Sequence, residues 1–313
     1  DLLEVYRQAV TSCPAELYTS QQRLAWALQA GDCNAENTPS QDLLRCLLET
    51  ERCAHHLGRH DVIASLASLL LQPGQGEQAP GAFAFAAVRV AWPLYLSGAK
   101  GLADQVLARM EEVAQQAPAD DWRVRVSRAV AKATHAMRAG DLETWVEAEA
   151  ETVAAYTAKG DLRRASEARC NLGYARTILG AFGEAVDGLA QAGIDADRLG
   201  LFSLEVATKQ NTGYLLMLLG KLPEAEAKLR SSSAEYHRMG DPRLHGGTLI
   251  YLGLTLLAQG RLDADEEMRE AVPYLDHFQC HFDIALVVHL DSKRTPVPAM
   301  LRLRHAGSFF SLY

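Results

Sequence analysis

The sequence predicts an all-α protein built from a repeated pair of antiparallel helices. Glycines recur every 40 residues in two series, and a set of small residues keeps the same step. The first series is Gly140, Gly180, Gly220 and Gly260, the second is Gly160, Gly200 and Gly240, and the small residues are Ala133, Gly173, Gly213 and Gly253. Isoleucine occurs only five times in 313 residues, while Ala and Leu dominate. This composition favours helix over strand, and a period kept in several registers is the signature of a repeat array.

Each 40-residue unit contains two helices. Apolar residues between the glycines have the spacing of a helix, as at Leu172, Ala175 and Leu179. Each glycine of the two series is expected to end a helix, because glycine adopts the left-handed conformation of a C-terminal cap at little cost. The Gly-Asp pairs at 140–141, 160–161 and 240–241 add an N-cap for the next helix. Pro223 and Pro242 fit the first turn of a helix.

The glycines inside the first helices predict close packing between the two helices of a pair. Gly173, Gly213 and Gly253 would each cost about 1 kcal/mol relative to Ala in a helix interior. Close approach of the second helix would offset that cost. Ala185 and Ala225 are the matching small residues on the second helix, and the large partners are Leu172, Leu252, Phe182, Leu189 and Leu229.

The repeat divides the chain into three regions. Residues 1–120 are expected to form divergent helical repeats, with loops near 31–39 and 72–81, where Gly and Pro cluster. Residues 121–290 contain four regular 40-residue units and the start of a fifth. Residues 291–313 lose the period and form a non-repeat tail with a local surplus of basic residues. Because there is no initiator Met, we expect the chain to be a fragment of a larger protein.

Composition argues against several classes of partner and compartment. The chain has 39 acidic and 31 basic residues, a net charge of −8, which argues against nucleic-acid binding. No apolar run approaches the roughly 20 residues that span a bilayer, so no membrane partner is expected. The six cysteines form no Cys-x-x-Cys pair, which favours free thiols in a reducing cytoplasm.

The sequence contains no motif for catalysis or for a cofactor. It has no phosphate-binding loop, no kinase catalytic loop and no nucleophile elbow, so we predict a chain that is not itself an enzyme and has no cofactor. His55, His56 and His60 are considered as metal ligands, because His56 and His60 are four residues apart. Gly58 is expected to end the helix between them, and no paired acidic or thiol ligands occur at helical spacing, so no metal site is predicted. Glu147, Glu149 and Glu151 are predicted to form a solvated helix face.

The regular units resemble the tetratricopeptide repeat. Leu172-Gly173 in a first helix, followed by Gly180-Ala181-Phe182-Gly183-Glu184-Ala185, is similar to the pattern of that family. The 40-residue period is longer than its usual 34 and matches its longer variants. The resemblance implies a right-handed superhelical solenoid whose first helices line a concave surface for protein or peptide ligands.

Residues 51–62 resemble a narrower group. They look like the C-terminal helical arms of large bacterial regulators that carry a STAND-type ATPase and often a Ser/Thr protein kinase. The resemblance implies a sensor or scaffold arm of a signalling protein, in contact with other domains of the parent chain. The alternative is a free-standing adaptor for the assembly of protein complexes.

Five residues of the first helices are candidates for ligand binding. Asn171 and Asn211 are 40 residues apart, as are Tyr174 and Tyr214, and Tyr251 lies in the next first helix. Asparagine amides could hydrogen-bond a partner's backbone, and tyrosine rings would add contact area. The resemblance supports this interpretation, because asparagines of related long-repeat proteins commonly hold peptide backbone. In the alternative interpretation, the asparagines bond to neighbouring helices and the tyrosines pack between units.

Overall fold

A computed structural model describes residues 60–77 and 79–261, together with residues 264 and 269. The described residues form ten α-helices and no strand. In chain order these are α1 (His60–Leu70), α2 (Pro80–Leu96), α3 (Lys100–Ala114), α4 (Trp122–Ala139), α5 (Leu142–Lys159), α6 (Leu162–Leu179), α7 (Phe182–Leu199), α8 (Phe202–Leu218), α9 (Leu222–Met239) and α10 (Pro242–Ala258). The predicted loop at 31–39 and the tail at 291–313 lie outside the described residues.

The helix boundaries fall where the glycines and aspartates predict them. All seven glycines of the two series have positive φ, between 63° at Gly200 and 89° at Gly180. The side chains of Asp141, Asp161 and Asp241 accept hydrogen bonds from the backbone N–H groups three residues later and so cap α5, α6 and α10. These carboxylates satisfy N–H groups that have no partner inside the helix.

The helices pack as an array of consecutive pairs. From α5 to α10 each helix contacts the next, and the first helices also contact one another, α6 with α8 and α8 with α10. Turns of only a few residues between long helices make neighbours antiparallel. The predicted all-α fold class and the tetratricopeptide-like array are therefore confirmed.

The chain divides into two compact units, residues 1–128 and residues 129–313, with the division inside α4. In the first unit, α2 is largely buried, and Phe85 lies 6.2 Å from Trp122 between ring centroids. Turns occupy residues 71–77 and α2 begins at Pro80, within the loop predicted at 72–81. The regular units of the sequence belong mostly to the second unit.

The interior glycines lie where two helices approach closely. A Cβ atom on Gly173 of α6 would lie 2.7 Å from Leu189 Cγ of α7. A Cβ on Gly213 of α8 would lie 2.8 Å from Leu229 Cγ of α9. Both distances are too short for a real contact, so the prediction that these glycines permit close packing is confirmed for both pairs.

Opposite charges align α6 with α7. α6 carries four Arg and one Glu, whereas α7 carries four acidic residues and one Arg. Arg176 Nη2 lies 2.9 Å from Glu184 Oε2, and Arg169 forms a second, partly buried ion pair with Asp195. The first pair lies beside the turn and the second lies farther from it, and both favour the observed register.

In the part of the chain that the structure describes, every helix is too short or too polar to serve as a membrane span.

Candidate functional site

The second unit brings the predicted tyrosines together. Tyr174 lies on α6, Tyr214 on α8 and Tyr251 on α10, and these helices are the first members of successive pairs. We call the side of α6, α8 and α10 that carries residues 171, 174, 211, 214 and 251 the first-helix face. We call Tyr174, Tyr214 and Tyr251 the tyrosine cluster.

The tyrosine cluster is a continuous series of aromatic contacts. The rings of Tyr214 and Tyr251 are stacked, with centroids 4.3 Å apart and an angle of 27° between the planes. Tyr174 lies 6.0 Å from Tyr214 in a tilted arrangement. Trp145 of α5 extends the series with an edge contact to Tyr174 at 6.0 Å. Aromatic pairs at these distances stabilise one another beyond the area that they bury.

The hydroxyl groups of the cluster connect helices that are far apart in sequence. Tyr174 Oη and Tyr251 Oη lie 3.0 Å apart, and the two residues are separated by 77 positions. Tyr174 is 3% exposed and Tyr251 is 9% exposed, whereas Tyr214 is half-buried. Burial raises the pKa of Tyr214 to about 12, so its hydroxyl is neutral at physiological pH.

Both asparagines are buried, and Asn211 contacts a thiol. Asn171 and Asn211 are each 2% exposed, and Asn211 Nδ2 donates a hydrogen bond to Cys170 Sγ at 3.3 Å. Thr208 Oγ1 donates to the same sulfur at 3.6 Å. Burial raises the pKa of the Cys170 thiol to about 11, which makes it a poor nucleophile.

Gln210 adds a buried amide to this region. Its side chain is 1% exposed, and its Nε2 atom has no hydrogen-bond partner among the described residues. A buried amide without a partner is costly, so this position is suited to receive an acceptor. Sequence analysis did not single out Gln210, although it stands 40 residues after Cys170.

One sequence-based prediction about charge is wrong. Glu147 and Glu151 are exposed, and Lys132 Nζ lies 3.8 Å and 3.2 Å from their carboxylates. Glu149, predicted as part of the same solvated face, is fully buried, and Trp145 Nε1 donates to its Oε1 at 3.3 Å. The physical reason is helical geometry, because a residue two positions away points to the other side of the helix.

The sequence also contains a signal that could have identified Trp145 as a neighbour of the tyrosine cluster. It stands 40 residues before Ala185 and 80 before Ala225, two small residues that are fully buried. A tryptophan at a position that otherwise holds alanine marks a departure from the repeat. The large ring at this position makes the edge contact with Tyr174.

The described residues include one buried pair that combines serine and histidine. Ser233 Oγ and the Ser233 carbonyl oxygen each lie 3.0 Å from His245 Nδ1. A proton on Nδ1 donates to the carbonyl, so this nitrogen is not available to accept the hydroxyl proton.

Across residues 60–77 and 79–261, no three His, Cys, Asp or Glu side chains are grouped as metal ligands. His55 and His56, two of the three histidines considered as metal ligands, lie outside the described residues.

The first-helix face therefore carries amides and neutral aromatic rings, all of them buried except the half-buried Tyr214. Amides supply hydrogen-bond donors and acceptors, and rings supply flat apolar area with a polar tip. Such groups suit reversible recognition rather than proton transfer or nucleophilic attack. The structure brings the three tyrosines into contact, and it places Asn211 on the side of α8 that faces Cys170. The role of all five candidate residues in binding stays a prediction.

Comparison with known proteins identifies the fold alone. No protein-family model and no curated protein sequence matches the chain. A solved structure, described as the crystal structure of Rap protein complexed with competence and sporulation factor, is similar with a TM-score of 0.63 and 14% identity. The similarity covers 92% of this chain and 80% of that one. It shows that this chain shares its helical-repeat fold with the Rap protein.

Proposed function

We propose that this chain is a non-catalytic binding arm that recognises a protein or peptide partner on its first-helix face. The observation that carries the proposal is the gathering of repeat-related side chains on α6, α8 and α10 of one unit. Three of them, Tyr174, Tyr214 and Tyr251, contact one another in an uninterrupted series. A repeated row of similar groups fits a ligand that itself repeats, which a polypeptide backbone does.

The chemistry of the face supports a polypeptide partner. Asn171 and Asn211 of this face are amides, which match the donors and acceptors of a peptide bond. The tyrosine rings lose little conformational entropy on binding because they are already packed. The similar Rap protein was solved with competence and sporulation factor bound, which makes complex formation on this fold a natural expectation for the present chain.

The test begins with a random peptide library displayed to the purified chain. The selected peptide is then titrated against the wild-type chain, the Asn171→Ala/Asn211→Ala variant and a control, Gln105→Ala, whose side chain is exposed on α3. We expect the double variant to bind at least about tenfold more weakly, as for a central contact of an interface. The control should bind like the wild-type chain.

The melting temperature of each variant separates binding from folding. Both asparagines are buried, so some loss of stability is expected in the double variant. A lower melting temperature with unchanged affinity would refute the binding role and favour the structural interpretation. Failure to select any peptide with the wild-type chain would argue against the function itself.

The wider role that we propose is a sensor or scaffold arm of a bacterial signalling protein with a STAND ATPase or a Ser/Thr kinase. What supports it is the resemblance of residues 51–62 to such arms, and a cytoplasmic location fits the buried free thiol of Cys170. In such a parent, the bound partner would bias the equilibrium between two states through its different affinity for them. The upstream reading frame tests this role. A phosphate-loop or kinase motif there supports it, and the absence of both motifs favours the free-standing adaptor.

A further inference from the structure

We infer that the turns at Gly160, Gly200 and Gly240 form a second binding surface, which takes an acidic amphipathic helix of a partner protein. We call these turns, with the residues within four positions of each glycine, the turn edge. It lies at the ends of the helices, whereas the residues of the first-helix face lie well inside them. The inference therefore goes beyond the proposed function and does not depend on it.

Helix direction brings these three turns to one edge of the array. The second helices α5, α7 and α9 end at the turns, and the first helices α6, α8 and α10 begin there. Because neighbouring helices are antiparallel, every second turn lies on the same side. The turns at Gly140, Gly180, Gly220 and Gly260 lie at the opposite edge, which provides an internal comparison.

Large apolar side chains recur on the turn edge and are exposed. Leu162 and Phe202 are 40 residues apart and begin α6 and α8. Leu199 and Met239 are also 40 residues apart and end α7 and α9. Their exposed fractions range from 38% at Met239 to 57% at Leu162. Single exposed apolar residues are ordinary, but a row kept in two registers offers a partner several apolar contacts at once.

Charge distinguishes the turn edge from the opposite edge. The exposed charged residues of the turn edge are four basic and one acidic, namely Lys159, Arg163, Arg198, Arg238 and Asp197. The two other acids, Asp161 and Asp241, cap helices and are less exposed. On the described part of the opposite edge, three basic and four acidic residues are exposed within four positions of the glycines. In a chain with a net charge of −8, this local surplus of positive charge favours an acidic partner.

Arg238 joins the apolar row and the basic residues into one surface. Its guanidinium carbon lies 5.6 Å from the centroid of the Phe202 ring, so the turn at Gly240 contacts the turn at Gly200. Arg238 also pairs with Glu235, and Arg163 pairs with Glu167 at 3.3 Å. Exposed ion pairs of this kind contribute little to stability, so both arginines can exchange partners when an acidic ligand binds.

The spacing of the turns favours a helical partner. α6 and α8 contact each other directly, and packed helices lie about 8–10 Å apart. A helix rises about 1.5 Å per residue, so side chains about six or seven residues apart on a partner helix meet successive turns. An amphipathic helix repeats its apolar residues at this distance. A second copy of the chain fits poorly, because it would bring two basic edges together.

The first experiment titrates the full chain into a fluorescein-labelled helical peptide of about 21 residues, which spans about 30 Å. The peptide carries Leu at every seventh position with Glu beside each Leu, and a second peptide has Lys in place of every Glu. We expect fluorescence anisotropy to show binding of the acidic peptide that weakens as salt is raised. The basic peptide should bind at least about tenfold more weakly. Equal binding of both peptides, or no binding of the acidic one, would overturn the proposal.

The two edges provide matched variants for the second experiment. Leu199→Gln/Met239→Gln removes apolar side chains from the turn edge. Leu179→Gln/Leu219→Gln does the same at the opposite edge, where the two leucines are also 40 residues apart and are 36% and 39% exposed. We expect the first variant to bind the acidic peptide at least about tenfold more weakly and the second to bind like the wild-type chain.

Folding is controlled in the same samples. All four replaced side chains are exposed and glutamine is a good helix former, so both melting temperatures should stay close to that of the wild-type chain. An equal effect of the two variants on peptide affinity, or no effect of the first, would overturn the assignment to the turn edge.

Further measurements separate this surface from other occupants and from the proposed function. Asn171→Ala/Asn211→Ala, measured below its melting temperature, should bind the acidic peptide like the wild-type chain, and loss of binding would move the peptide to the first-helix face and overturn the proposal. Vesicles of phosphatidylserine and phosphatidylcholine that bind the wild-type chain but not Leu199→Gln/Met239→Gln would assign a membrane surface instead. Self-association in sedimentation velocity that the same variant abolishes would assign a second copy. Either result would overturn the helical partner, whereas failure of the proposed function on the first-helix face would leave it untouched.

Discussion

Cys170 shows how burial controls the chemistry of a single residue in this array. Its side chain has no exposed surface, and its sulfur accepts hydrogen bonds from Thr208 and Asn211 of α8. Both donors favour the thiolate, but burial outweighs them and raises the pKa to about 11 from an ordinary value of 9.0. The residue acts as a small core group that joins α6 to α8.

This raised pKa predicts a loss of stability in alkaline solution. Below pH 9 the thiol is protonated in the folded and the unfolded chain, so its contribution is fully present. Between pH 9 and about 11 the unfolded chain releases the proton while the folded chain keeps it. The free energy of unfolding should therefore fall by up to about 1.4 kcal/mol per pH unit across this window, relative to Cys170→Ala.

Urea denaturation of both proteins at intervals from pH 8 to pH 10.5 measures this difference. Groups such as Tyr214, whose pKa is also raised, are present in both proteins and cancel in the comparison. Parallel stability curves for the wild-type chain and Cys170→Ala would contradict the prediction.

Helix pairs are held at their observed distance by the glycines of the first helices. An Ala at position 213 would place its Cβ 2.8 Å from Leu229 Cγ and 3.4 Å from the carbonyl oxygen of Ala225. The strain of such overpacking is typically about 1–3 kcal/mol, and the gain in helix propensity is about 1 kcal/mol. The difference leaves a net loss, so we expect Gly213→Ala to lower the free energy of unfolding by up to about 2 kcal/mol, and Gly173→Ala to act alike.

Gly183→Ala provides the control for these two substitutions. Gly183 lies in the first turn of α7, and nothing lies within 4 Å of a Cβ added there. We expect it to stabilise the protein by up to about 1 kcal/mol, because only the propensity gain remains. Denaturant unfolding should show a lower free energy of unfolding for Gly173→Ala and Gly213→Ala and a higher one for Gly183→Ala. Destabilisation by all three would show that the close approach is not the cause.

The same comparison of elements shows how far sequence reasoning extends. Capping glycines and aspartates have local causes, so residues 140, 160 and 240 and their neighbours predict helix ends correctly. Contacts over a long sequence distance have no local cause. The Tyr174–Tyr251 contact and the burial of Glu149 against Trp145 depend on how three or four helices meet, and the 40-residue step shows only that these positions depart from the repeat.

The helix array of the second unit behaves as a nearly one-dimensional system. Within the second unit, the strong contacts join consecutive helices, and weaker ones join first helices of adjacent pairs. The stability of such a structure is approximately a sum of local terms and nearest-neighbour interface terms. A local defect should therefore loosen its own pair most and more distant pairs less.

Gly213→Ala tests this property by hydrogen exchange resolved along the chain. The defect lies between α8 and α9, so we expect amides of these helices to lose the most protection, and α10 and α7 to lose less. α5, the helix farthest from the defect among α5 to α10, should change least. Gly183→Ala, measured in parallel, should cause no such graded loss of protection. Equal loss of protection from α5 to α10 would show that the unit unfolds as one cooperative body, and it would contradict the nearest-neighbour description.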